Sequence, residues 1–265
     1  VLGRRDDGYH EVETLVSPIA LYDTLFFEGD GSGDLRLTCE AVSGLWGSDA
    51  TWLGDFPQGE ENLVVRAVEL LRRRAGARRG ATLRLVKRIP TAAGLGGGSS
   101  DAAAALAAAN AGWGLNWPWQ RLAQLGAELG SDVPLFFAQG PVVCRGRGEQ
   151  IESVSTPGLL HFVVVRPPAG LATTAVYRAC TPGAPARSVQ PLWRALAEGN
   201  LGEAGRRLFN RLEPAAETLS PWIGRLREAF AQTDCVGHQM SGSGTCYFGL
   251  CRHAYHARRI ARRLQ

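Results

Sequence analysis

The stretch Pro90-Thr91-Ala92-Ala93-Gly94-Leu95-Gly96-Gly97-Gly98-Ser99-Ser100-Asp101 constrains this chain more than any other, because it runs straight into the alanine-rich segment 102–110. Four glycines in five positions free backbone N–H groups to turn into one concavity, with no side chain in the way of a ligand. Two hydroxyls follow, then a run of the strongest helix formers. A helix N-terminus carries partial positive charge and unpaired donors, so the junction suits a phosphate. We read it as a nucleotide-phosphate loop.

Two familiar phosphate loops are excluded. A Walker loop needs a lysine just before the hydroxyl residue, whereas Ser99 follows Gly98 directly and the single lysine, Lys87, lies upstream. The dinucleotide fingerprint needs other glycine spacing and an acid about 20 residues on. A glycine hinge capping an alanine-rich helix, with Ser99 or Ser100 as N-cap, is the plainer alternative. One capping serine would not call for four glycines.

The pattern P-x-x-x-G-L-G-G-G-S-S-[DN]-A-A resembles the second motif of the GHMP kinases, and its triple glycine is most similar to members acting on a cytidine-diphosphate small molecule. The resemblance implies an α+β fold of two domains, residues 1–156 and 157–265, with the active site in the inter-domain cleft. It implies ATP as donor and Mg²⁺ as its metal. Residues Pro90, Thr91, Ala92, Ala93, Gly94, Leu95, Gly96, Gly97, Gly98, Ser99 and Ser100 would hold the phosphates of ATP, with Ser100 facing the metal.

Further segments follow the family in order. Arg5, Asp7, Gly8, Tyr9 and His10 match R-x-D-G-Y-H, which implies that Tyr9 and His10 hold cytosine; a ring and an imidazole suit a flat heterocycle bearing donors and acceptors. Glu60–Leu63 matches E-x-N-L, placing Asn62 near adenine, although by position alone Asn62 is equally a first-turn helix residue. Lys87 matches the lysine of K-x-[IL]-P and is expected at the mouth of the glycine loop, against phosphate charge. Residues 167–177 resemble a substrate-side segment whose Thr173 would hydrogen-bond the substrate and whose Tyr177 would wall the base. Asn210 matches an asparagine before the pair Leu212-Glu213, and Met240-Ser241-Gly242-Ser243-Gly244 resembles the third motif, whose glycines let it pass close behind the loop.

Ser131-Asp132-Val133-Pro134 resembles G-[AS]-D-V-P, which makes Asp132 the catalytic carboxylate. Such a group must come within hydrogen-bond reach of the accepting hydroxyl. Asp101, at the helix start, would instead repel the phosphates beside it. The family also opens with a strand bearing P-A-K-[LIV]-N-L, and no residue here matches its lysine. Either the N-terminus of the protein lies ahead of Val1 or that group is lacking; the start without methionine favours the first.

In coarse outline, 24–28 and 34–39 read as two strands joined by a glycine-rich turn, 60–75 as a helix, 81–89 as a strand, 115–129 as a helix, and 141–154 as a hairpin. Beyond it lie a strand over 161–166 and helices over 192–212, 220–231 and 253–264. The loop carrying Trp46 and Trp52 reads as a small satellite cluster.

With 265 residues, 45% hydrophobic and 20% charged, the chain buries a sizeable core. It shows no membrane-length apolar run and no signal-peptide pattern. Six scattered cysteines without C-x-x-C favour reduced thiols in a cytoplasm. The arginine clusters 72–74 and 258–263 sit at helix ends without interleaved aromatics, so no nucleic acid and no membrane partner is expected. A monomer or weak homodimer is expected. Competing functions are a homoserine- or mevalonate-type kinase, a non-catalytic nucleotide-binding homologue, and a nucleic-acid binder using the arginines.

Overall fold

The computed structural model describes residues 1–42, 54, 56–155, 158–182 and 187–265. The Trp46/Trp52 loop and the expected boundary residues Thr156 and Pro157 lie outside the described residues. The chain divides into two compact units, one made of 1–17, 92–95 and 140–265 and the other of 18–91 and 96–139. These units do not follow a division at 156/157: residues 1–17 group with the C-terminal half of the chain, and so do four residues of the glycine loop.

The first unit begins with β1 (Gly3–Arg4) and β2 (His10–Val16), an antiparallel pair. The chain then enters the second unit, through β3 (Thr24–Asp30), β4 (Leu35–Ala41), α1 (Leu63–Ala75), β5 (Gly80–Lys87), α2 (Gly97–Gly112) and α3 (Trp119–Ala127). The turn 29–33 does not form a hairpin, because β5 lies between β3 and β4, antiparallel to the first and parallel to the second. The physical reason is burial. Six of the eight β5 residues are buried, so it takes the centre of the sheet, and α1 supplies the crossover that a parallel neighbour requires.

The core of this unit joins Val64, Val68 and Leu71 of α1, Leu83 and Leu85 of β5, and Ala102, Ala105, Leu106 and Ala109 of α2. The alanines matter here: with mostly methyl groups beside Leu106 on its inner face, α2 lies close against α1 and β3. Helix α1 starts three residues later than the sequence suggests, since Gly59–Glu61 forms a 3₁₀ turn ahead of it. Its end is as expected, at Gly76 in the left-handed conformation.

Back in the first unit, β6 (Val142–Gly146) and β7 (Gln150–Ser153) complete a sheet of order β1-β2-β6-β7. Next come β8 (His161–Val165), α4 (Thr173–Ala179), α5 (Gln190–Ala197), α6 (Leu201–Arg207), α7 (Glu213–Leu219), α8 (Pro221–Ala231), β9 (Gly237–Met240), β10 (Tyr247–Cys251) and α9 (Ala254–Leu264). The helix expected over 192–212 is broken. Gly199 turns left-handed, and the Asn200 side chain accepts from Glu203 N at 3.0 Å to start α6 afresh.

The sheet β8-β10-β9 packs Val163, Met240 and Tyr247 against Val176, Ile223, Phe230 and Ile260. All six cysteines are free thiols. Among the described residues no helix is long and apolar enough to cross a membrane, and no three His, Cys, Asp or Glu side chains converge on a metal position.

Candidate active site

The glycine loop turns through left-handed residues at Ala92 (φ 49°), Gly94 (φ 71°) and Gly96 (φ 69°), the last being the N-cap of α2. Ser99 and Ser100 therefore stand inside the first turn, which rules out either as the cap. Ser100 N reaches Gly96 O at 2.9 Å, whereas the amides of Gly97, Gly98 and Ser99 have no acceptor among the described residues. Three unpaired donors at a helix N-terminus, with no side chain on the first two, are an arrangement that suits an anion. Phe136 closes one side: a Cβ on Gly96 would meet its ring at 2.8 Å.

The third glycine turn does lie against the loop. Ser241 Oγ donates to Gly94 O at 2.8 Å and Cys246 N donates to Ala93 O at 3.0 Å. A Cβ on Gly94 would stand 2.1 Å from Ser241 O, so the approach requires glycine. Asn210 Nδ2 donates to the carbonyls of Met240 and Gly242, at 2.9 and 2.8 Å. Glu213 accepts from Met240 N at 2.9 Å and from the Tyr247 hydroxyl at 3.0 Å. The sequence marked Asn210 but missed Glu213 as the second anchor of this turn. Its signal was there, in the Leu212-Glu213 pair following the asparagine.

Two expected ligand residues have partners within the fold. Lys87 is buried, pairing with Asp23 and donating to Asp101 Oδ2 at 2.6 Å, so its charge is answered inside the unit rather than at the loop mouth. Asp23 also accepts from Arg88 N and Ile89 N, which fixes the end of β5. Asn62 is the N-cap of α1: its Oδ1 accepts from Val64 N at 2.9 Å, and its Nδ2 donates to Pro57 O at 2.8 Å and to Cys39 Sγ at 3.7 Å. With both ends engaged and 7% of its surface exposed, Asn62 serves as the cap of α1.

Asp132 precedes a 3₁₀ turn, Val133–Phe137, that packs on α2. Val133 is fully buried beside Gly126 of α3, and Phe136 covers Gly96, so the turn that follows Asp132 is held against α3 at one end and the start of the phosphate helix at the other. The carboxylate reaches solvent yet is hemmed in by chain. That desolvation raises its pKa above the ordinary carboxylate range, opposed by the Ser131 hydroxyl at 3.4 Å.

In the other unit the two expected cytosine residues His10 and Tyr177 meet, ring centroids 5.4 Å apart and tilted by 47°. Burial first, then the nearby Arg4 charge, lowers the His10 pKa, which favours the neutral imidazole. Tyr9 is exposed, with the Arg147 guanidinium 5.0 Å over its ring. Thr173, the first residue of α4, shares a 2.9 Å hydrogen bond with the Ser243 hydroxyl of the third turn. These side chains, residues 92–95 of the loop and the turn 241–246 belong to one unit.

Family comparison agrees with this architecture. Residues 62–140 match the GHMP kinases N terminal domain and residues 193–265 the GHMP kinases C terminal domain. The chain belongs to the GHMP kinase family, and it is an ATP-dependent small-molecule kinase with a two-domain α+β fold. Among its relatives, the 4-diphosphocytidyl-2-C-methyl-D-erythritol kinase of Pelotomaculum thermopropionicum is 41% identical over 99% of this chain and 88% of its own length. The enzyme of that name from Bacillus subtilis is 34% identical, over 98% and 86%. A crystal structure of 4-(cytidine 5'-diphospho)-2C-methyl-D-erythritol kinase superposes with a TM-score of 0.81 at 37% identity, covering all of this chain and 90% of that one. Homoserine kinase from Cytophaga hutchinsonii shares the fold, with a TM-score of 0.75 at 19% identity, 96% of this chain and 89% of that one being covered.

Proposed function

We propose that this kinase transfers the γ-phosphoryl group of ATP to the 2-hydroxyl of 4-diphosphocytidyl-2-C-methyl-D-erythritol, a step of the non-mevalonate route to isoprenoids. The observation that carries the phosphate half is the cradle of three unpaired amides, Gly97, Gly98 and Ser99, opened by left-handed Gly96. The paired rings of His10 and Tyr177 support the cytidyl half, as do the names of the full-length relatives.

Phosphoryl transfer needs positioning and charge neutralisation more than covalent chemistry from the protein. The three amides hold the β- and γ-phosphates, with the dipole of the 16-residue α2 behind them. Residues 90–96 shape the backbone around the nucleotide. Asp132 accepts the proton of the attacking hydroxyl, and its raised pKa makes it a stronger base. Tyr9, His10 and Tyr177 grip the base, and Thr173 hydrogen-bonds the substrate.

Mg²⁺ enters this proposal with the nucleotide. The described residues offer it no cage, and the Ser100 hydroxyl expected to face it donates to Gly97 O at 2.8 Å. The residues present do not fit a protein-held ion, and no step here runs through it. Six free thiols fit a reducing cytoplasm.

The direct experiment offers the purified protein ATP with the cytidyl substrate, homoserine or mevalonate. ADP release dependent on the cytidyl compound alone is expected. Turnover of homoserine or mevalonate in its place would replace the acceptor assigned here.

A further inference from the structure

Arg166 is 8% exposed, yet no carboxylate pairs with it among the described residues. Its Nη1 donates to Pro167 O at 3.2 Å, and its Nε–H has no partner among the described residues. Lys87, comparably buried, pairs by contrast with two carboxylates. A guanidinium taken out of water without an anion is costly, and native structures rarely retain one without use. Burial holds its pKa below the usual arginine value, the expected sign for a cation lacking its counter-charge.

Its place in the fold says which anion is missing. β8 and β10 pair antiparallel with Val165 opposite Tyr247, which sets Arg166 level with Cys246. Cys246 N in turn donates to Ala93 O. Arg166, Cys246 and Ala93 thus follow one another across adjacent backbones, and the third is the glycine loop. The segment after Arg166 continues along the same loop. Thr245 Oγ1 donates to Ala169 O at 2.8 Å, and a Cβ on Gly170 would lie 3.0 Å from the Ala92 Cβ. The segment ends at Thr173, bonded to Ser243.

We propose that Arg166 is a phosphate-binding residue, its unpaired guanidinium receiving a phosphate oxyanion of a nucleotide bound at the glycine loop. The inference rests on the kinase function above. Two bound molecules carry that chemistry, the phosphoryl donor and the cytidine-diphosphate acceptor, and one set of measurements separates them. A guanidinium presents planar paired donors to phosphate, which a neutral side chain of similar length lacks.

The test compares wild-type and Arg166→Met in thermal unfolding and in titrations with ADP, CDP, adenosine and cytidine. The ligand-free variant is expected to unfold at or above the wild-type temperature, because an unpaired buried charge has been removed. Its affinity is expected to fall at least about tenfold for one diphosphate, with the phosphate-free nucleosides unchanged. A loss for ADP alone assigns Arg166 to the donor, and a loss for CDP alone to the acceptor. Unchanged affinity for both, equal loss of both, or matching loss for the nucleosides overturns the proposal. Should Arg166→Met not fold, Arg166→Gln keeps a donor for Pro167 O without the charge, and the same outcomes apply. Failure of the wild-type protein to bind either diphosphate would instead strike the kinase reading.

Discussion

The Lys87 ammonium lies 2.6 Å from Asp101 Oδ2 while it also holds Asp23, so one buried cation answers two buried carboxylates beneath the start of the phosphate helix. Burial, reinforced by the Asp23 charge and opposed by Lys87, lifts the Asp101 pKa to about 7. The folded protein therefore keeps a proton that the unfolded chain releases near 3.8. Stability from this group is complete below that lower value and is lost as pH climbs through about 7. Asp101→Asn removes the titration. Between about pH 5 and 8 the melting temperature of the wild-type protein should fall relative to that of Asp101→Asn. Parallel curves for the two proteins would contradict the shared-proton arrangement.

Asn62→Ala should cost about 1–2 kcal/mol of stability, because it removes the α1 cap and orphans Val64 N. Since both ends of the amide are engaged within the protein, the KM for ATP should change less than about twofold once the variant is measured below its melting transition. A large rise in that KM at unchanged stability would return Asn62 to the adenine.

Gly94→Ala puts a methyl 2.1 Å from Ser241 O at a left-handed φ of 71°. The backbone conformation alone costs about 1–2 kcal/mol for an alanine, and the loop must also move away from the third turn. Denaturant unfolding should show at least that loss, and the KM for ATP should rise. Wild-type behaviour in both would mean that the two turns do not depend on each other.

Much of this was legible in advance, and the reason is local. The loop, the third turn and Asp132 are each announced by residues adjacent in sequence, because the backbone conformations they need are ones that glycine and a helix start supply directly. The partners of Lys87 and Asn62 are not legible in the sequence, because they are set far off in the chain or by burial. Asp23, 64 residues away, takes up the lysine, and Asn62 caps a helix that begins later than the acids before it suggest. The pairing of β3 with β5 was hidden for the same reason, since the glycine turn between β3 and β4 reads locally as a hairpin.

Tyr177→Ala should raise the KM for the cytidyl substrate about tenfold, the loss of one aromatic wall, and leave that for ATP near wild type. The His10 ring 5.4 Å away remains to give residual binding. Equal effects on both substrates would count against a base-binding role for the pair.

Activity should also fall on the acid side as Asp132 takes up a proton, with a midpoint above the ordinary carboxylate value because burial raises its pKa. The decisive measurement is the turnover of Asp132→Asn beside its affinity for ADP. A base at this position predicts a loss of kcat of about 10²–10⁴-fold, with ADP bound as by the wild-type protein through the backbone amides. Turnover retained at the wild-type rate would contradict the assignment of residue 132, and with it the account of how this chain activates its acceptor.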